Sequence, residues 1–448
     1  MYYIKVVIFK MNYLFGECAI MYYSEYSKEQ LLAEQESLKA SYKKFLDMGL
    51  RLDMSRGKPS SDQLDISVHM LDIVNSEHDC KSKTGLDCRN YGLLEGLPSC
   101  RELFSKLMQV KPEEVMIGGN SSLNMMFDTI ATFMYTPVCE GVKPWLMQEN
   151  RKFLCPVPGY DRHFGITEYF GFEMIPVPMT ENGPDMDVVE SLVESDDTIK
   201  GIWCVPKYSN PQGYTYSDET VKRFAALKPK AKDFRIMWDD AYCIHDLADE
   251  GDTLISLMDE CRKTGNTELP IIFCSTSKIT FPGSGVAAMA AGEKTMAVIH
   301  RRFQSQTIGY DKINMLRHML FFKDLDGVKA HMQKHKEILK PRFDLVLSKL
   351  DAKIADKGFA KWCKPNGGYF VSIDVMENTA SKVVRMCKNA GLVLTSAGAT
   401  YPCGNDPKDS NIRIAPSFPP LSELDVAMDV FCVCARLCAV EELLAKAQ

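Results

Sequence analysis

The residues of this chain whose types and spacing point to chemistry stand where three apolar runs end. Ile202-Trp203-Cys204-Val205 leads into Ser209-Asn210-Pro211-Gln212-Gly213, and Phe234-Arg235-Ile236-Met237-Trp238 leads into Asp239-Asp240-Ala241-Tyr242. Pro270-Ile271-Ile272-Phe273-Cys274 leads into Ser275-Thr276-Ser277-Lys278, with the glycine-rich Pro282-Gly283-Ser284-Gly285 just beyond. In chain order the runs end in an amide, a carboxylate with a phenol, and an amine. Each is ordinary alone, since a lysine after a buried strand is most often a solvated surface residue. Together they are the set needed to hold pyridoxal phosphate as a Schiff base.

The chemistry states why each type is required. A lysine amine at its usual pKa of about 10.4 is protonated and inert, so a Schiff-base lysine must be desolvated or lie near positive charge. Lys278 is the candidate. The cofactor withdraws electrons only while its ring nitrogen stays protonated, which calls for a buried carboxylate, here Asp239. Its phenolic oxygen needs neutral donors, and Asn210 and Tyr242 supply an amide and a phenol without net charge. A phosphate belongs at a helix start. Glu114-Val115-Met116-Ile117 runs through Gly118-Gly119 into Leu123, Met126, Phe127 and Ile130 at helical spacing, which makes Asn120 the expected N-cap and aims Ser121 and Ser122 at an anion. Val157-Pro158-Gly159-Tyr160 follows the run Phe153-Leu154-Cys155, placing an aromatic ring where it could stack on the pyridine. Arg413, inside the short alternating stretch Asn411-Ile412-Arg413-Ile414-Ala415, suits a substrate carboxylate.

On these motifs, from about Met21 to the C-terminus, the chain resembles the fold-type I pyridoxal-phosphate aminotransferases. Within them it resembles the bacterial aspartate aminotransferases related to the catalytic domain of MocR-type proteins. The resemblance implies that Lys278 binds the cofactor and shuttles the substrate's α-proton, with Asp239 on the ring nitrogen and Tyr160 stacked on the ring. It places Asn210 and Tyr242 on the phenolic oxygen, with Asn210 also beside the substrate, and Ser121, Ser122 and Ser275 on the phosphate. Arg413 takes the α-carboxylate. Tyr91, in Asn90-Tyr91-Gly92-Leu93, matches a family tyrosine that reaches the neighbouring subunit's phosphate, which implies a homodimer with shared active sites. Gly57, in Ser55-Arg56-Gly57-Lys58-Pro59, matches a glycine on the segment covering the substrate. The implied reaction moves an amino group between an L-amino acid and a 2-oxo acid, with L-aspartate and 2-oxoglutarate as the pair. The same scaffold also supports β-elimination and decarboxylation, or a regulatory relative that keeps the pocket without turnover.

One departure stands out. Family members place a phosphate-pairing arginine shortly after the glycine that follows the lysine, whereas Gly283-Ser284-Gly285-Val286-Ala287 carries no cation. Because a buried dianion without a cation is costly, Lys207 or a basic group of a second subunit is expected to compensate. A second cation for a distal carboxylate is open among Arg56, Arg301 and Arg302.

The elements that must position these residues follow from the pattern. Strands alternating with helical stretches predict an α/β fold: a large domain with a mostly parallel sheet flanked by helices, plus a smaller α+β domain. Residues 1–20 read as an N-terminal extension, 21–63 as the first part of the small domain, 64–320 as the large domain and 321–448 as the rest of the small one. Ser27-Lys28-Glu29-Gln30 is a capping box opening a helix to about Gly49. Later helices are expected through Lys334 to Lys349, over Ser381 to Ala390, and from Ser422. A chain of 448 residues with 46% hydrophobic content has ample material for two cores. Its net charge of −6 and the absence of a basic cluster argue against nucleic acid, and no stretch argues for a membrane. Sixteen scattered cysteines without a Cys-x-x-Cys read as reduced thiols of a cytoplasmic protein. His331 and His335 share a helical face but lack the glutamate of a zinc-peptidase motif, so no metal is expected there.

Overall fold

The apolar runs form one layer. In the computed structural model, which describes residues 21–447, eight strands make the central sheet. They are β1 (Val115–Ile117), β2 (Lys152–Val157), β3 (Glu173–Thr180), β4 (Gly183–Pro184), β5 (Ile199–Cys204), β6 (Arg235–Asp239), β7 (Pro270–Ser275) and β8 (Ala287–Ala291). Their spatial order is β1-β8-β7-β6-β5-β2-β3-β4. From β7 through β6, β5 and β2 to β3 the strands are parallel. β8 runs antiparallel to both β7 and β1, and the short β4 folds back on β3. A parallel sheet needs cover on both faces, and side-chain alternation provides for it. Leu154, Ile202, Ile236 and Ile272 enter one core, while Phe153, Trp203, Met237 and Ile271 enter the other. The strands leading to Asn210, Asp239 and Lys278 are therefore adjacent, and their carboxyl ends open on one edge, where open α/β sheets bind ligands.

Helices α1 (Lys28–Asp47), α2 (Ser122–Tyr135), α3 (Asp161–Tyr169), α4 (Lys312–Phe322), α5 (Leu325–Lys353) and α6 (Leu421–Lys446) pack around this sheet and a smaller one. The smaller sheet is antiparallel: β9 (Lys361–Trp362), β10 (Val371–Asp374) and β11 (Asn411–Ile414). A third core joins Leu31, Leu38 and Leu52, which precede the central sheet, to Phe343, Ile373 and Phe431, which follow it. Leu52–Asp53 pairs in parallel with Leu392–Val393, stitching the same two parts of the chain together. α5 runs between cores: Val328 and Met332 belong to the central-sheet core, Leu339, Phe343 and Leu350 to the third.

The capping box is formed as expected. Ser27 Oγ accepts from the Gln30 amide at 3.3 Å, Gln30 Oε1 accepts from the Ser27 amide at 2.7 Å, and Gly49 follows the helix with φ +62°. At α2 the expectation shifts by one residue. Ser121, not Asn120, is the N-cap, because the Asn120 side chain donates to the Gly283 carbonyl at 3.2 Å and is drawn away from the helix. α5 extends well beyond Lys334 to Lys349, and α6 begins at Leu421 rather than Ser422. The proposed extension over residues 1–20 lies outside the described residues. Among the described residues, no helix is long and apolar enough to cross a membrane, and the cysteines are free thiols, most of them buried.

Candidate active site

At the carboxyl edge of the sheet a cavity of about 150 Å³ is lined by Ser121, Ser122, Tyr160, Asn210, Asp239, Tyr242, Ser275 and Lys278, all singled out from the sequence. One end is built for an anion. β1 turns through Gly118-Gly119 into α2, whose N-cap Ser121 makes no side-chain cap bond, so the first-turn amides are not taken by it. The hydroxyl chain from Ser275 to Ser277 (3.0 Å), which continues to the Asn120 carbonyl (3.3 Å), sets two more hydroxyls beside that helix start. Ser277 was missed in the sequence, although its place one residue before Lys278 was the available signal.

The other end is built for a cation on a ring. The buried Asp239 places Oδ2 at 2.9 Å from His163 Nε2, while its Oδ1 has no partner. An unpaired buried carboxylate oxygen is costly, so this atom is poised for a donor in the cavity. His163 was also missed. It lies three residues after Tyr160 in the first turn of α3, stacks on Trp203 with centroids 4.4 Å apart and meets the Tyr160 ring edge-on at 4.9 Å. Strand alternation decides between the two neighbouring acids: Asp239 lines the cavity, whereas Asp240 does not and is pushed up to about 7 by burial, partly opposed by Lys207.

Between the two ends lies Lys278. Desolvation pushes its amine below the ordinary lysine range, with Asp239 opposing, which favours the nucleophilic free base. Its Nζ is 4.8 Å from the Tyr242 ring centroid. Burial raises the Tyr242 phenol well above its ordinary value and the Tyr160 phenol to about 12, so both remain neutral donors near neutral pH.

Arg413 approaches from β11. It is only 7% exposed, its Nη1 donates to Asp161 Oδ1 at 2.9 Å and to Asn210 Oδ1 at 3.2 Å, and its guanidinium carbon lies 4.7 Å from the Phe370 ring centroid. Nε is buried without a partner, leaving that edge of the fork for a carboxylate. The bond from Arg413 also orients Asn210: with Oδ1 facing a guanidinium, its amide N–H groups turn the other way. Gly57 belongs to the same locality, since a Cβ on it would overlap the Phe370 ring beneath Arg413.

Other expected residues are not brought together. Tyr91 is 79% exposed and does not line the cavity of its own chain. Lys207 is committed elsewhere, its Nζ bound to Asp246 Oδ1 at 2.9 Å and to the Cys243 carbonyl at 3.1 Å, so the expectation that it offsets a phosphate is corrected. Of the stretch that carries no cation, Val286 is buried in the core. A cation that sequence reading overlooked lies on this loop, where Arg317 of α4 donates to Ser284 Oγ at 3.0 Å. Arg302 is paired with Asp128 at 3.0 Å, and Arg56 and Arg301 are exposed; none of the three lines the cavity.

Comparison with known proteins bears on the family and the fold. The family model described as aspartate amino-transferase matches residues 26–447. An aspartate aminotransferase of Corynebacterium glutamicum is 43% identical over 417 residues, 93% of this chain and 96% of that one. The crystal structure of an aspartate transaminase from Corynebacterium glutamicum superposes with a TM-score of 0.92 at 42% identity, covering 95% of this chain and all of the other. The α-aminoadipate aminotransferase of Thermus thermophilus, solved with N-(5′-phosphopyridoxyl)-L-leucine, shares the fold at 18% identity, with a TM-score of 0.68 and coverage of 93% of this chain and 98% of that one.

Proposed function

The chain belongs to the aspartate amino-transferase family, and on that premise we propose that it transfers the amino group of L-aspartate to 2-oxoglutarate with pyridoxal 5′-phosphate in the described cavity. The observation that carries this is the unpartnered Oδ1 of Asp239 in a cavity whose other wall holds a desolvated lysine and an open helix start. When bound, the cofactor supplies a protonated ring that stabilises negative charge at the substrate's α-carbon.

The chain's own residues do the rest. Ser121, Ser122 and Ser275, with the α2 amides, hold the phosphate. Asp239, fixed by His163, keeps the ring nitrogen protonated, while Asn210 and Tyr242 donate to the phenolic oxygen and Tyr160 covers one ring face. The Nε edge of Arg413 grips the α-carboxylate and thereby orients the α-hydrogen. Lys278 removes that proton as a general base and returns it as a general acid on the other side of the transfer. Gly57 allows its segment to lie close over the substrate. The working unit is a cytoplasmic homodimer in which Tyr91 reaches the neighbour's phosphate. Residues 21–63 and 321–448 form the small domain and 64–320 the large one.

The test separates transamination from elimination. Protein loaded with pyridoxal phosphate and given L-aspartate alone should release one oxaloacetate per site and stop, with turnover resuming only on addition of 2-oxoglutarate. Continued loss of L-aspartate without an acceptor, with CO2 or ammonia released in place of oxaloacetate, would mean a lyase, and no loss of aspartate would mean that it is not the donor.

A further inference from the structure

His331 and His335 hold no metal motif, yet both are buried and face the loop that carries Lys278. One helical turn apart on α5, they share a face. Their Nε2 atoms lie 2.8 and 3.0 Å from a single acceptor, the Ile279 carbonyl. A carbonyl has two lone pairs and no proton, so both rings must carry their hydrogen on Nε2 and donate it. His335 Nδ1 is then an acceptor, and Gln63 Nε2 donates to it at 3.0 Å. The second hydrogen of the same amide goes to Tyr369 Oη at 3.0 Å. The phenol hydrogen is thereby free to point at the Lys278 carbonyl, 3.5 Å away. On the opposite side, His318 Nδ1 donates to the Asn314 carbonyl at 2.8 Å, which leaves the single Nε2 lone pair to accept from one of the Thr276 and Thr280 hydroxyls, 3.1 and 3.0 Å away.

The Nε2 atoms of His331 and His335 lie 3.2 Å apart as they converge on the Ile279 carbonyl, and the cluster holds the two carbonyls that follow the Lys278 side chain. It also reaches the substrate-covering segment. Gln63 Oε1 accepts from the Ser60 amide at 3.2 Å, three residues beyond Gly57, and Arg342 of α5 donates to Ser60 Oγ at 2.7 Å.

We propose that Gln63, His335, His331 and Tyr369 are positioning residues for Lys278, which hold the 278–279 carbonyls in place and join this anchor to the segment carrying Gly57. An amine that must deliver a proton to one carbon and recover it from another works from a fixed pivot, and displacement by about 1 Å can cost on the order of a hundredfold in rate. The cluster touches neither the substrate carboxylate receptor nor the phosphate cradle. Its effect therefore falls mainly on kcat, with KM moving only as far as the Gly57 segment shifts. The inference rests on the reading of Lys278 as the proton-carrying amine.

The experiment compares loaded wild-type enzyme with His335→Leu, His335→Gln and Tyr369→Phe. His335→Leu should lower kcat by about tenfold or more, leave the KM for L-aspartate within about twofold and shift the visible absorption band of the bound cofactor. His335→Gln keeps an N–H near the Nε2 position and should recover kcat to within about threefold of wild type. Wild-type kcat and band in His335→Leu would overturn the proposal. So would an equal loss in His335→Gln, which would make the site one of packing, or a loss confined to KM. If His335→Leu does not fold, Tyr369→Phe decides, because it removes one hydroxyl and no carbon: reduced kcat with a shifted band supports the brace, and unchanged values overturn it. Activity surviving in Lys278→Ala would instead refute the role of the lysine. Silent variants beside a normal wild type refute only the brace.

Discussion

Lys278 and Arg413 carry different kinds of work, and their variants should fail differently. Lys278→Ala removes the general acid and base, so oxaloacetate release from L-aspartate should fall by roughly a thousandfold or more, while phosphate groups still bind at the α2 start. A stopped-flow assay of the single-turnover release checks this. Arg413→Lys keeps the charge and loses the fork, and a point charge cannot serve Asp161, Asn210 and a bidentate carboxylate together. A loss of about 2 kcal/mol, or roughly 30-fold, is expected in kcat/KM for L-aspartate, with folding retained. Steady-state kinetics beside a melting curve would distinguish it from general damage.

Elements place these residues, and two of them offer direct tests. In the substrate-covering segment, Gly57→Ala would set a methyl against the Phe370 ring under Arg413. The ring must move or the segment must lift, so KM for L-aspartate should rise by about tenfold with little change in Tm. At the start of α1, Ser27→Ala removes one half of a capping box without touching the cavity. It should cost about 1 kcal/mol of stability and leave kcat unchanged, as urea unfolding beside an activity assay would reveal.

At the scale of the molecule, acid should be destabilising in a defined window. His318 and His335 are buried, and desolvation depresses both to about 4 from an ordinary 6.5. In the unfolded chain they take up protons as pH falls below 6.5, whereas the folded protein does so only near 4. Stability is therefore complete above about pH 6.5 and declines as pH falls through that interval. Urea midpoints measured from pH 7 to pH 4 should drop, and by less in His335→Gln. Assembly gives the second test at this scale. Tyr91 is exposed on its own chain, so if it serves a neighbour's phosphate, Tyr91→Phe should weaken cofactor affinity by about tenfold without altering the melting of the apoprotein.

What the sequence determined is whatever depends on local order. The end of each apolar run, the capping box at Ser27, the glycine after α1 and the residue types Asn, Asp, Tyr and Lys in succession were legible because strand ends and caps are set by neighbours a few positions away. Tertiary structure decided what depends on distance in space. It brought His163 to Asp239 across 76 positions, tied Lys207 to Asp246 instead of a phosphate, and set Arg413 against Asp161 across 252 positions. No local pattern announces such pairs. They exist because parallel strands β5, β6 and β7 align their ends on one edge, and because α5 runs from one core to another, carrying two histidines to the loop of Lys278. A single chain can specify an amine, a carboxylate and a guanidinium. Only the packing of the sheet against its helices decides which of them face one cavity and which are neutralised elsewhere.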